Sequence, residues 1–324
     1  MRRLGARIGL WGLLLLLPLA ALARDAIQWL EAMAEAMERT HYRGTFVYAH
    51  DGRMEAMEVV HRAADGPEGE ARRLFALSGA AREVISDDAG VTCILPDAQA
   101  VMVDTDMPRT PLADLGGSDW QRLAAYYEFL VLGEDRMAGL PAQIVAVRPR
   151  DDYRYGYRLW LWKANALPLK FELLSPEGEP LEQMMFTHLE VMDAVPDEAL
   201  LPSLDGESFK HFRGGRADGE TVEGKPAWTA GWLPDGFSLI HHNRHRMPMG
   251  KQPVDHLVYG DGLATLSVYV EPSGADDEPL RGSSHMGAVN AIGLERDGRQ
   301  VTVVGAVPAV TVRRVGESVR PRDD

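Results

Sequence analysis

The sequence predicts a mainly antiparallel α+β protein made of one large and one smaller domain. Short apolar runs recur along most of the 324 residues, separated by turn signals such as Asp51-Gly52 and Asp261-Gly262. Helical periodicity is confined to a few stretches. Residues 205–225 are rich in Gly, Asp, Glu and Arg and lack apolar periodicity, which is typical of a linker. We therefore expect a large domain over residues 24–204 and a smaller one over residues 226–324.

The first 23 residues have the pattern of a cleavable export signal. Three arginines precede the apolar run Ile8 to Leu19, and Ala21-Leu22-Ala23 offers an A-x-A cleavage site. The run is short of the roughly 20 residues of a spanning helix. Its leucine-rich core favours the general secretion route over a twin-arginine signal. The cleavage point lacks the cysteine that a lipoprotein signal requires. These features predict a soluble protein exported to the periplasm.

The charge is acidic and unevenly distributed. The 48 Asp and Glu outnumber the 34 Lys and Arg, for a formal charge of -14, which cleavage of the signal takes to -17. Residues 24–225 carry 36 acidic and 21 basic side chains, so most of the negative charge lies on the large domain. Nucleic acid is therefore excluded as the main partner, because phosphate binding needs clustered Lys and Arg. A lipid held by the large domain would bind chiefly through its acyl chains.

Cys93 is the single cysteine of the chain. An internal disulfide and a cysteine-based metal cage are therefore both excluded. Because Cys93 lies in the strand-like run Val91 to Leu95, we expect a buried structural thiol, with an intermolecular disulfide or a reactive thiol as the alternative. No cofactor-binding pattern accompanies it.

The large domain begins with a helix and continues as strands. Asp25 can cap a helix in which Ile27, Leu30, Ala34 and Met37 share a face. A second helical stretch is predicted near Ser118 to Leu132. Strands are predicted at Thr45 to His50, Met54 to His61, Arg73 to Leu77, Arg82 to Ser86, Val91 to Leu95, Ala100 to Asp104, Gln143 to Arg148, Tyr153 to Trp162, Pro168 to Leu174 and Leu181 to Val191. Together they predict one large antiparallel sheet with helices packed on it.

Several of these strands are apolar on both faces, whereas a half-exposed sheet needs only one apolar face. One interpretation is that helices cover the second face. The other is that the sheet lines a hydrophobic cavity. On the second interpretation, the candidate lipid-binding residues are Phe46, Tyr48, Trp160, Trp162, Met184 and Phe186.

The smaller domain is predicted as strands followed by a final helix. Pro308 stands near the first position of a helix that runs to Val319. The predicted strands are Ser238 to His242, Asp255 to Tyr259, Leu263 to Val270, Gly287 to Glu295 and Arg299 to Val304.

No enzyme motif is present: the chain has no G-x-S-x-G elbow, no H-E-x-x-H and no glycine-rich phosphate loop. A histidine and arginine cluster is the one suggestive constellation, and its members are His241, His242, Arg244, His245 and Arg246. For any one of these residues the favoured interpretation is a solvent-facing polar strand edge. The alternative is that the cluster forms a basic patch for an acidic peptide or a phosphorylated lipid headgroup. A zinc site using His241 and His245, joined by His242 or His256, is the less favoured hypothesis. Histidine would also make a contact there sensitive to pH.

Longer segments resemble one family across the whole mature chain, the RseB/MucB family of periplasmic negative regulators of the sigma-E envelope stress response. The resemblance is carried by Tyr42 to Tyr48, Leu95 to Asp97, Asp152 to Trp160, Leu167 to Lys170, Leu233 to Phe237, Asp261 to Leu263, and Val301 to Gly305. It implies a large domain like the lipoprotein carriers LolA and LolB, an unclosed β-barrel with helices, joined to a smaller α/β domain.

The resemblance also implies a function. The expected partner is the periplasmic part of a membrane-spanning anti-sigma factor, which the protein would shield from the site-1 protease. Lipid or lipopolysaccharide fragments would release it, and no catalytic residue is implied. Two other classes stay open: a soluble lipid or lipoprotein carrier of the LolA type, and an envelope enzyme. The sequence also leaves a homo-oligomer open.

Overall fold

The computed structural model describes residues 25–64, 69–104, 115, 118–204, 208–213, 225–246, 253–273 and 280–322. The predicted signal segment lies outside these residues. No helix in the described part of the chain is long and apolar enough to cross a bilayer. Most of the described residues that form regular structure belong to a twelve-stranded and a six-stranded sheet. We call residues 25–213 the large unit and residues 225–322 the small unit.

The large unit is built on the twelve-stranded sheet. Its strands are β1 (Tyr42–His50), β2 (Arg53–Arg62), β3 (Ala71–Ala76), β4 (Glu83–Asp87), β5 (Gly90–Leu95), β6 (Ala100–Asp104), β7 (Tyr127–Met137), β8 (Leu140–Pro149), β9 (Gly156–Trp162), β10 (Pro168–Leu174), β11 (Pro180–Val191) and β12 (Lys210–Arg213). Their order is β12-β6-β5-β4-β3-β2-β1-β11-β10-β9-β8-β7. All neighbours are antiparallel except the parallel pair β6 and β12. The prediction of a mainly antiparallel, unclosed sheet is confirmed, because β12 and β7 do not pair.

Helix α1 (Ala26–Arg39) begins at the predicted cap. The Asp25 carboxylate accepts the backbone N–H of Gln28 at 2.8 Å, and the Gln28 side chain accepts that of Asp25 at 3.1 Å. This reciprocal capping box satisfies two backbone donors at the start of the helix. The helix then buries Trp29, Leu30 and Met33 against the sheet.

The helix predicted near Ser118 to Leu132 is wrong over most of its length. Only α2 (Trp120–Leu123) is helical, with Asp119 as its cap, and the chain enters β7 at Tyr127. The run Tyr126 to Val131 is rich in aromatic and bulky apolar residues, which favour a pleated strand. Pairing with β8 along the whole of β7 then decides the conformation.

The small unit is built on the six-stranded sheet, in the order β14-β15-β16-β19-β18-β17. These strands are β14 (Ser238–Arg246), β15 (Pro253–Gly260), β16 (Thr265–Pro272), β17 (Gly282–Met286), β18 (Val289–Arg296) and β19 (Arg299–Gly305). Helix α3 (Ala309–Ser318) follows Pro308, as predicted, and packs on β18 and β19. A two-stranded sheet joins β13 (Trp228–Ala230) to β20 (Val319–Pro321).

Part of the predicted linker is ordered as β12, which pairs with β6 at the edge of the large sheet. Neither its pairing nor β7 was predicted. The domain boundary at residues 205–225 stays a prediction.

The two faces of the large sheet differ in what covers them. The inner face packs against α1 and α2 and carries the main hydrophobic core, with Leu159, Leu161 and Phe171 among its members. The outer face carries a smaller cluster centred on Ala142, Trp160 and Leu169. The apolar residues on the two faces of one strand therefore pack into two separate clusters, the main core on the inner face and the smaller cluster on the outer face. Cys93 is buried, as predicted, and burial raises its thiol pKa.

Candidate functional site

A cavity of about 320 Å³ opens between α1 and the inner face of the large sheet. This volume lies at the lower end of the roughly 300–1,000 Å³ usual for ligand pockets. Its wall is mostly apolar and consists of Met37, Tyr42, Phe46, Tyr48, Met57, Val59, Arg72, Leu74, Arg82, Val84, Leu167, Pro168, Phe171, Glu182, Met184, Phe186 and Leu189.

Four of the six predicted lipid-binding residues lie together in this wall. In the pairing of β1 with β11, Phe46 stands opposite Phe186 and Tyr48 opposite Met184. The Phe46 and Phe186 rings meet edge to face, with centroids 5.7 Å apart. Because side chains alternate along a strand, cross-strand pairs at these positions place all four on one face.

The Phe186 ring reaches its place because Gly44 has no side chain. A Cβ at Gly44 would lie 2.6 Å from Cε1 of Phe186, closer than packed atoms tolerate. The glycine of β1 thus shapes the cavity wall without lining it.

Trp160 and Trp162 do not line the cavity, because they lie on the outer face of β9. The Trp160 indole N–H donates to the Asp135 carboxylate at 3.0 Å. The Lys170 ammonium stands 4.2 Å from the centre of the ring. The pKa of Asp135 is lowered, first by the backbone N–H of Arg136 and then by Trp160. Trp160 thus has a packing role on the outer face.

The cavity wall also holds charged groups that we did not predict. Arg72 and Arg82 lie at opposite ends of the β3–β4 wall, about 13 Å apart by strand spacing. The Nη2 atom of Arg72 donates to Glu70 at 3.1 Å, while its buried Nε has no hydrogen-bond partner in the described part of the chain. Arg82 pairs with Glu55.

Tyr48 and Glu182 form the other polar contact in the wall. The Tyr48 hydroxyl donates to Oε2 of Glu182 at 2.7 Å. Burial raises the pKa of Tyr48 well above its usual value, and the hydrogen bond to Glu182 raises it further. Tyr48 therefore keeps its proton at neutral pH and remains the donor.

A second feature, the seam, joins the two units through the large unit's Arg154 and the small unit's Asp261. Both side chains are fully buried, and Nη1 of Arg154 lies 2.5 Å from Oδ2 of Asp261. The Tyr127 hydroxyl donates to the same oxygen at 2.9 Å. Arg154 also donates to the carboxylate of Asp151 and to the backbone carbonyl of Asp235. Each charge thus has several partners, which a buried ion pair needs.

Aromatic and apolar contacts extend the seam. The Arg314 guanidinium of α3 stands 3.9 Å from the centre of the Trp232 ring and donates to the Tyr153 hydroxyl. Leu263 and Ala288 of the small unit are buried in the main core of the large unit. Gly236 and Gly262 have φ of +86° and +102° and admit the side chains of Tyr126 and Arg122. The two units therefore share one continuous packed interface.

The predicted partner-binding cluster lies on β14, an edge strand paired with β15. Its members do not share one face. His242 and Arg244 approach the Asp255 carboxylate at 3.6 and 3.9 Å, while the adjacent His241 points to the opposite face and is exposed. The side chains of His245 and Arg246 lie outside the described residues. Within the described part of the chain, no three His, Cys, Asp or Glu side chains are grouped to hold a metal ion.

Some cavity residues were within reach of the sequence. Met57 and Val59 are apolar residues two positions apart on β2, as are Phe171 and Leu173 on β10, so each pair shares one face of its strand. Assigning these faces from the sequence would have placed Met57, Val59 and Phe171 on the inner face. Arg72 and Arg82 gave no such signal, because arginines on a strand usually face solvent.

An unclosed antiparallel sheet with a mostly apolar cavity, joined by a buried seam to a second sheet, defines a two-unit binding protein. Sequence models of the MucB/RseB N-terminal domain and the MucB/RseB C-terminal domain match residues 25–204 and 222–320. The chain belongs to the MucB/RseB family, and the predicted resemblance is confirmed.

Named relatives agree over nearly the full length. The sigma factor AlgU regulatory protein MucB of Pseudomonas aeruginosa is 39% identical over 316 residues, covering 96% of each chain. The sigma-E factor regulatory protein RseB of Escherichia coli K12 is 28% identical over 301 residues, covering 90% of this chain and 89% of that one.

Solved structures match over both units. The complex of Pseudomonas aeruginosa MucA and MucB superposes with a TM-score of 0.73 at 34% identity, covering 93% of this chain and 100% of that one. A crystal structure of MucB matches with a TM-score of 0.63 at 34% identity, covering 92% and 98%.

Proposed function

We propose that this protein is a periplasmic negative regulator that binds the periplasmic part of a membrane-spanning sigma-E anti-sigma factor and shields it from site-1 proteolysis. The observation that carries the proposal is the match, across both units, to MucB in its complex with MucA. The relatives are named as regulatory proteins.

We propose further that lipid or lipopolysaccharide acyl chains bind the cavity and release the partner. The apolar wall supports this, since each buried methylene contributes about 0.8 kcal/mol. A ligand that prefers the partner-free form lowers partner affinity by its difference in affinity for the two forms.

The decisive experiment is a binding titration of the full mature chain with the periplasmic segment of the cognate anti-sigma factor, with and without lipopolysaccharide. We expect tight binding that weakens at least tenfold when lipopolysaccharide is added. A parallel digestion with the site-1 protease should show slower cleavage of the segment in the complex. Binding that is absent would overturn the proposed function, and binding indifferent to lipopolysaccharide would overturn the release step alone.

We propose the β14 cluster as part of the partner surface, since His241 is exposed on an edge strand. His241→Glu should weaken partner binding, because the new carboxylate would repel the acidic partner expected at this cluster. The matched control is His285→Glu, which alters another exposed histidine on β17, at the other edge of the same sheet. Equal affinities for the two variants would move the partner surface away from β14.

A soluble carrier of the LolA type is the second candidate, and the cavity is the observation that favours it. A carrier would move lipid or lipoprotein between two vesicle populations at catalytic amounts. A regulator would take up ligand without such transfer.

A further inference from the structure

The turn between β17 and β18 of the small unit rests on the large unit. Ala288 in this turn is fully buried within the main core of the large unit. Two residues further on, the Asn290 side chain donates to the Tyr155 hydroxyl at 2.9 Å and to the backbone carbonyl of Val307 at 2.8 Å. The turn, which we define as residues 286–288, is therefore held on the large unit at its C-terminal side.

Gly287 of the same turn lies beside a residue of the cavity wall. A Cβ at Gly287 would stand 3.5 Å from Oε1 of Glu182, an ordinary contact distance. Oε2 of the same carboxylate accepts the Tyr48 hydroxyl inside the cavity. One carboxylate thus has one oxygen toward the cavity and the other toward the small unit.

The electrostatics of Glu182 also extend to both sides. Burial raises the pKa of Tyr48 in the cavity, and the hydrogen bond and charge of Glu182 raise it further. Burial also raises the pKa of Tyr155 at the seam; the hydrogen bond from Asn290 lowers it, and the charges of Glu177 and then Glu182 raise it. Tyr155 is the residue that receives Asn290 of the small unit.

We propose that Glu182 couples the cavity to the small unit. The inference rests on the proposed function, because it assumes that an acyl chain enters the cavity. A chain packed against the Tyr48 end removes water from around the carboxylate, and a carboxylate that loses hydration must keep its donor or turn away. On its other side, Oε1 of Glu182 faces Gly287, close enough that a side chain at that position would touch it. A carboxylate that turns away from the filled end moves toward Gly287. This movement displaces the turn and loosens the small unit at Ala288 and Asn290.

Hydrogen–deuterium exchange on the full mature chain tests the coupling, with palmitoyl lysophosphatidylcholine as the probe. Native mass spectrometry of the same samples establishes that the probe is bound and sets the concentration that saturates each variant. In the wild type we expect the probe to speed exchange of amides 286–290 at least threefold. Glu182→Gln should abolish this response at saturation, and Tyr48→Phe, which keeps the ring, should at least halve it. The matched control is Glu190→Gln, an exposed glutamate on the same strand, which should respond as the wild type does.

The outcomes separate the coupling from the proposed function. A wild type that binds no probe contradicts the acyl-chain step of the proposed function, and the coupling fails with it. Bound probe with unchanged exchange at 286–290 overturns the coupling alone. The coupling is likewise overturned if both Glu182→Gln and Tyr48→Phe keep the wild-type response.

Discussion

Arg154 and Asp261 form an ion pair across the seam, with both side chains fully excluded from solvent. The pair lies 107 positions apart along the chain and joins the large unit to the small one. Because Asp261 also accepts the Tyr127 hydroxyl and two backbone N–H groups, its charge is fully compensated where it lies. The two buried charges at the contact between the units are therefore both paired and hydrogen-bonded.

Asp261→Asn should be strongly destabilising. It leaves the buried Arg154 with less counter-charge, and removing one partner of a buried pair costs about 3–5 kcal/mol. Urea unfolding measures the loss. The control is Glu128→Gln, which removes an exposed partner of Arg148 and should cost at most about 1 kcal/mol. Similar losses for both variants would contradict a special role for the seam.

Gly236→Ala should open the seam locally. The new Cβ would lie 2.4 Å from the Tyr126 ring at a φ of +86°. Gly139→Ala is the matched control, because Gly139 has a φ of +79° and nothing within 4 Å of its Cβ position. We expect Gly236→Ala to lose about 1–3 kcal/mol more than the control, as overpacking does. Tyr126→Ala in the same chain should recover part of the difference, and its failure to do so would contradict the clash.

Met184→Trp should block the cavity. Met184 lines the wall, whereas the adjacent Met185 points to the opposite face and is 38% exposed. We expect Met184→Trp to weaken binding of palmitoyl lysophosphatidylcholine at least tenfold and Met185→Trp to leave it within about twofold. Circular dichroism of both variants establishes that they fold. Equal affinities would place the acyl site elsewhere.

Stability should fall above pH 10 partly through Tyr127. Burial, and after it the charge of Asp261, raises the pKa of Tyr127 well above its usual value of 10.0. The folded chain thus holds this proton more tightly than the unfolded chain, so the stabilisation is complete below pH 10 and is lost as the pH rises toward the folded-state pKa. Tm measured from pH 8.5 to 11 should decline less steeply in Tyr127→Phe, from a lower starting value. Parallel declines would contradict the assignment.

Local signals predicted most strands, both of the longer helices and one wall of the cavity. Asp25 and Pro308 fixed helix starts, and alternation in β1 and β11 identified the four cavity residues there. What failed depended on distant partners. Tyr127 lies in a strand because β7 pairs with β8. Trp160 faces outward, where its indole N–H donates to Asp135 and its ring contacts the Lys170 ammonium. The seam was invisible to a local pattern because Arg154 and Asp261 meet only after both units have folded.

The pairing of β12 with β6 sets the length of the tether between the two units. Since Arg213 is fixed at the edge of the large sheet, residues 214–224 are the whole of the chain available between that edge and Lys225. Twelve residue steps span at most about 42 Å when fully extended. If the seam opens, the small unit therefore stays within that radius of the edge of the large sheet. Reclosure of the seam is then an intramolecular event that competes with any partner that binds the seam surfaces exposed by opening.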